Sequence, residues 1–145
     1  MPYCPKFELA TFDALGPSWK RGILGALVEA LVMADRAYLR DYPDTPSLYD
    51  AGIPYVFNKD RWQDIPTMLV RREGDCKDFT AWRVAELRQH GIKASVHVTD
   101  RLISSPDGRL TMYHVLVRLP GGLLEDPSAM LGMLDNPATF GGMPL

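Results

Sequence analysis

The sequence predicts an α+β fold, on two observations about its periodicity. Apolar residues recur at helical spacing along two long segments, Trp19 to about Arg40 and Cys76 to His90, and after Gly91 the pattern changes to alternation with a period of two. Helical segments followed by strands that can pair with one another, in 145 residues of which 46% are hydrophobic, match one ordinary core, so the chain is read as a single domain, 1–145.

Each element follows from local signals. Pro17-Ser18 opens the first helix, whose apolar stripe is Ile23, Leu24, Leu27, Val28, Leu31 and then Met33 or Ala34. From Asp41 to Asp60, Pro43, Pro46, Gly52 and Pro54 favour turns. A long surface loop is expected there, with Tyr49, Tyr55, Phe57 and Trp62 either walling a groove or pinning the loop to the core. Asp64 is placed to cap a short helix from Pro66 to about Arg72, which Gly74 ends. Asp75 caps the second long helix, and Gly91 gives it a left-handed exit. Ile92, Ala94, Val96 and Val98 then alternate with Lys93, Ser95, His97 and Thr99 as a half-buried strand. Ser104 to Gly108 is a turn cluster, and Leu110 to Leu119 returns as the antiparallel partner. A third short strand, Leu123 to Asp126, ends at Pro127, which cannot donate to a sheet ladder. The tail, 134–145, carries no periodic signal.

Composition narrows the function classes. The net charge is -2 with Lys and Arg spread along the chain, which is not the footprint of a nucleic-acid binder. The longest apolar run, Ile23 to Ala34, is broken by Glu29 and falls short of the roughly 20 residues of a bilayer span. The N-terminus lacks the pattern of a secretory signal, so a cytoplasmic location is expected. Two cysteines, Cys4 and Cys76, are too few for a disulfide framework or a Cys-rich zinc site, and no bridge between them is expected. Without a His-Glu-x-x-His, a paired Cys-x-x-Cys or a Gly-rich phosphate loop, neither a metal nor a cofactor is expected.

The chemistry-bearing residues converge on Cys76. A thiol in the first turn of a helix gains thiolate character from the positive end of the helix dipole, and Asp75, Lys77 and Asp78 argue for a polar setting. Its proton needs a base. His90 is excluded, since it sits about 20 Å away along the same helix at 1.5 Å per residue. His97 falls on the polar face of its strand and is the second choice. His114 shares a face with Met112 and Leu116, expected to be the packed one, and is preferred. Asp126, at the end of the following strand, is placed to orient His114, although spacing leaves Glu125 open. For an acyl oxyanion, the Cys76 backbone amide is the natural first donor and Trp62 or Gln63 the candidate second.

These motifs resemble a known group. Trp62, the run Gly74-Asp75-Cys76-Lys77-Asp78-Phe79-Thr80-Ala81, the exit from Ala85-Glu86-Leu87 to Gly91-Ile92, Tyr113-His114-Val115 and Glu125-Asp126-Pro127-Ser128 are similar to the transglutaminase-like superfamily of papain-type cysteine enzymes. The match is to its bacterial cysteine peptidases and to related small phage and prophage proteins, over about 61–133. The resemblance implies a papain-like core, a Cys76-His114-Asp126 triad and acyl transfer at amide bonds of a protein or peptide substrate. It also implies an alternative, a virion structural or assembly protein that retains the site idle and contacts other virion proteins through the tail from Met130 to Leu145.

Overall fold

Helix α1, Pro17–Asp41, forms where a proline in the first turn meets a long apolar stripe, and it turns Leu24, Val28, Val32 and Asp35 inward. The computed structural model describes residues 3–58, 60–133 and 143–144. Burying each of Val28 and Val32 completely is worth up to about 1.5–3 kcal/mol. The stripe ends differently from the expectation, because Met33 and Ala34 face solvent and the next inward position is an acid, Asp35. Its Oδ1 accepts the backbone N–H of Ile65 at 2.8 Å, the first amide of helix α2, Ile65–Arg71. Asp64 caps the same helix through the Thr67 amide at 3.1 Å, as its sequence position indicates.

The segment expected as a surface loop is in good part interior. A 3-10 turn at Leu48–Asp50 is followed by alternating burial, in which Ala51, Ile53 and Tyr55 point in while Gly52, Pro54 and Val56 point out. These residues join Ile65, Met68, Phe79 and Trp82 in a second apolar cluster. The period-two signal was hidden by prolines that prevent a ladder without preventing burial. Helix α2 ends at Arg72, which takes the left-handed conformation (φ 59°), and not at Gly74. Gly74 answers a different need, since a Cβ there would lie 2.6 Å from Phe79 Cε1 and 2.8 Å from Met68 Sδ.

Helix α3, Cys76–Gln89, runs through the centre; from Cys76 to Leu87 every residue but Arg83 is buried. One face of a small sheet packs on α1 and α3, with Val28, Val32, Ala81, Val84, Ala85, Val115 and Val117 in the shared core. Strands β1, Ser95–Ser105, and β2, Gly108–Arg118, form an antiparallel hairpin paired from Ser95↔Arg118 to Ser105↔Gly108. Both strands run further into the expected turn than composition indicates, leaving only Pro106-Asp107 as the loop, while Ile92 lies exposed before β1. Strand β3, Leu124–Glu125, pairs with Val117 and Arg118, and strand β4, Met143–Pro144, pairs with Met112 and Tyr113. Because β1 occupies one edge of β2 along its whole length, β3 and β4 share the other edge and leave a gap at 114–116. A short helix α4, Pro127–Met130, follows β3. The fold is α+β. Apart from β4, the irregular tail expected at 134–145 lies outside the described residues. Among the described residues, no helix is long and apolar enough to cross a membrane.

Candidate active site

The gap in the β2 edge is filled by the first turn of α3. The Thr80 hydroxyl donates to the Val115 carbonyl at 3.1 Å, and the Val115 amide hydrogen-bonds to the Cys76 thiol. Residues 76 and 80 are one helical turn apart on the same face, so together they serve both main-chain groups that the short strands leave uncovered. Cys76 is thereby held one residue from His114. On β2 the well-buried face is the one with Val115 and Val117, since α1 and α3 cover it, so the expectation that the His114 face is the packed one is reversed. His114 nevertheless reaches across the strand edge to Asp126, with Nε2 2.8 Å from Oδ2.

Asp126 is fixed at both oxygens, because its Oδ1 accepts the Ala129 amide at 3.2 Å and caps α4. An ionised carboxylate only accepts, so Nε2 carries the ring proton and the lone pair of neutral His114 is on Nδ1. That Nδ1 is buried and has no hydrogen-bond partner. The ring's open nitrogen is thus the one not bonded to Asp126.

The thiol's own environment departs from the expectation. Cys76 is 0% exposed, and burial, helped by Asp75, pushes its pKa well above the ordinary thiol range, against smaller opposing effects of Lys77 and the Val115 amide. A helix dipole is worth at most about 2 kcal/mol, roughly 1.5 pH units, so burial wins and the resting group is a neutral thiol. The flanking charges do not solvate it, because they are turned on one another. Lys77, itself buried, donates to Asp75 Oδ2 at 2.5 Å and to the Asn58 carbonyl at 2.8 Å. Asp78 accepts the amides of Gln63 and Asp75 at 2.8 and 3.2 Å.

The remaining candidates separate clearly. The Gln63 side-chain amide is committed to the Glu73 carbonyl at 3.2 Å and to Asp78 at 3.3 Å. Trp62 packs on the core cluster that contains Cys76, with the Lys77 ammonium 5.5 Å from its ring centre. His97 is tied to Arg118 at 2.8 Å, and His90 is exposed at the end of α3. Glu125 bonds to Arg83 at 2.7 Å and accepts the Tyr49 hydroxyl, so it is turned away from His114. Tyr49 therefore pins its loop to the core. A surface depression bordered by Arg36, Arg88 and Lys93 lies at the far end of α3 and gives no access to the thiol. Among the described residues, no group of three or more His, Cys, Asp or Glu is placed to hold a metal ion.

From the sequence, Tyr55 is one of four aromatics that either wall a groove or pin the loop to the core. The structure threads its backbone between the two halves of the site: the Tyr55 amide donates to the Leu131 carbonyl at 3.1 Å, and the Val56 amide to Gly74 at 2.8 Å. Its hydroxyl is buried without a partner.

No family model matches the chain, and no solved structure matches it. Among curated proteins, germacrene D synthase 1 of Pogostemon cablin is 32% identical over 80 residues, covering 52% of this chain and 15% of that protein. The chain thus spans 15% of the length of the relative it matches, too little to carry that protein's activity across.

Proposed function

We propose that the chain is a cysteine-dependent acyl-transfer enzyme acting on amide bonds, a transglutaminase-like peptidase or amidase. The observation that carries this reading is the His114–Asp126 pair at 2.8 Å, with an unpartnered Nδ1 one residue along the strand from the amide that holds the Cys76 thiol. Because the resting thiol is neutral, Cys76 gives its proton to His114 Nδ1 as its sulfur bonds to the carbonyl carbon. The C–N bond then breaks, the amine leaves with that proton, and a thioester remains. Water, deprotonated by the same Nδ1, releases the acid and restores the thiol; an amine in its place gives transamidation. Asp126 holds the Nε2 proton, so that neutral His114 presents its lone pair at Nδ1, and stabilises the imidazolium while Nδ1 carries the transferred proton.

A second reading, a virion structural or assembly module with the site idle, draws on the complete burial of Cys76. The two readings separate in one measurement, the acylation of the protein by p-nitrophenyl acetate followed by mass spectrometry. The enzyme reading expects acetylation at Cys76, its loss in Cys76→Ser, and a fall of at least about 100-fold in His114→Ala, the low end of what a positioned base supplies. Acetylation confined to Cys4, or unchanged by His114→Ala, would overturn it.

A further inference from the structure

The acyl oxygen that turns negative during attack needs a donor, and of the two side chains expected from the sequence one is already committed. The Gln63 amide is already bonded to Glu73 and Asp78. Trp62 remains beside the thiol's cluster, half-buried and next to Lys77. Tyr55 is a donor that the sequence does not point to. It is 7% exposed, its hydroxyl is buried, and that hydroxyl has no partner. An unmade hydrogen bond on a buried donor is a standing cost, tolerated where a ligand completes it.

Position supports the same assignment. The parallel bridge between Tyr55 and Gly74 sets the residue against the segment entering Cys76, and its amide bond to Leu131 ties it to the segment leaving Asp126. Its ring meets Phe79, in the first turns of the helix that Cys76 opens, edge-on at 6.3 Å. Resting on the acyl-transfer reading, we propose that the Tyr55 hydroxyl is a catalytic donor of this site that hydrogen-bonds the substrate's acyl oxygen as Cys76 attacks. As the S–C bond forms, the carbonyl electron pair moves onto oxygen and Tyr55 shares its proton with that oxygen without transferring it. Burial, followed by the charges of Cys76, Asp75 and Asp126, pushes the Tyr55 pKa upward, so the phenol remains a donor through the cycle.

Two probes of one thiol test this. Acetylation by p-nitrophenyl acetate builds negative charge on a carbonyl oxygen, whereas alkylation by iodoacetamide displaces iodide and does not. Both reagents must reach the same buried sulfur, so the ratio of their rates at Cys76 cancels access. Tyr55→Phe is expected to slow acetylation about 10²- to 10³-fold, the cost of removing one oxyanion donor, with alkylation unchanged and the thermal midpoint equal or higher. Equal slowing of both reactions, an unchanged acetylation rate, or a lowered midpoint would overturn the assignment. If wild type is acetylated at Cys76 and Tyr55→Phe is acetylated equally fast, only the role of Tyr55 falls. A wild type that is alkylated but never acetylated at Cys76 removes the acyl-transfer reading and this inference with it.

Discussion

Two polar clusters lie along α3, and they are finished to different degrees. Around Arg83 the groups are matched: Arg83 reaches Glu125 at 2.7 Å and Glu86 at 3.3 Å, Tyr49 donates to Glu125, and the second Glu86 oxygen takes the Leu48 amide. One to two turns nearer the N-terminus, His114 Nδ1 and the Tyr55 hydroxyl are buried with nothing to bond. A completed polar network holds a fold, while on the acyl-transfer reading the open donor and acceptor serve the substrate. Neighbours in sequence, Glu125 and Asp126, fall one into each cluster. The difference in their work is set by what surrounds them, as both are carboxylates at a strand end.

The sharpest way to break the contrast is Asp126→Asn. The amide can present an N–H to Nε2, and that favours the wrong tautomer of His114. Acetylation of Cys76 should fall about 10³- to 10⁴-fold with the thermal midpoint little changed; an undiminished rate would make Asp126 a helix cap and nothing more.

A third case sharpens the comparison, because Asp35 is half matched, with Oδ1 bonded to Ile65 and Oδ2 buried alone. Here protonation keeps the open atom uncharged, since burial pushes the carboxyl up to about 8. A raised acid holds its proton in the folded chain after the unfolded chain has lost it. Stability is therefore full below about pH 4 and declines between pH 4 and 8, by at most about 1.4 kcal/mol per unit for this one group. Asp35→Asn should flatten that decline in urea denaturation at pH 5 and pH 8. Parallel slopes for variant and wild type would show that Asp35 is an ordinary ionised cap.

The smallest effect belongs to the finished cluster. Glu125→Gln should cost roughly 1–2 kcal/mol in chemical denaturation, reduced by partial solvent access, and leave the acetylation rate of Cys76 within twofold. A rate loss comparable to that of Asp126→Asn would merge the two clusters and end the distinction.

Much of this was legible in the sequence, for particular reasons. The capping residues Asp64 and Asp75 located two helix starts, and strand alternation with a Pro127 stop put Asp126 beside His114. The inward turn of Asp35 was not legible, because an apolar stripe predicts its own continuation and an acid on it is read as outward. Lys77 and Asp75 indicate a polar setting around Cys76, and their burial is not legible, because charges two residues apart neutralise one another and go inside as a pair. The link from Cys76 to Val115 depends on where β3 and β4 stop, which no local pattern encodes. Tyr55 was hidden by the prolines and glycine around it.

The two cysteines differ completely in exposure, with Cys4 open to solvent and Cys76 sealed. That difference gives the chain an internal clock. A thiol reagent present in excess consumes Cys4 at its chemical rate, while Cys76 is reached only during excursions that uncover it. When reclosing is fast, the ratio of the two rates reads the free energy of that excursion directly, without spectroscopic labels or denaturant.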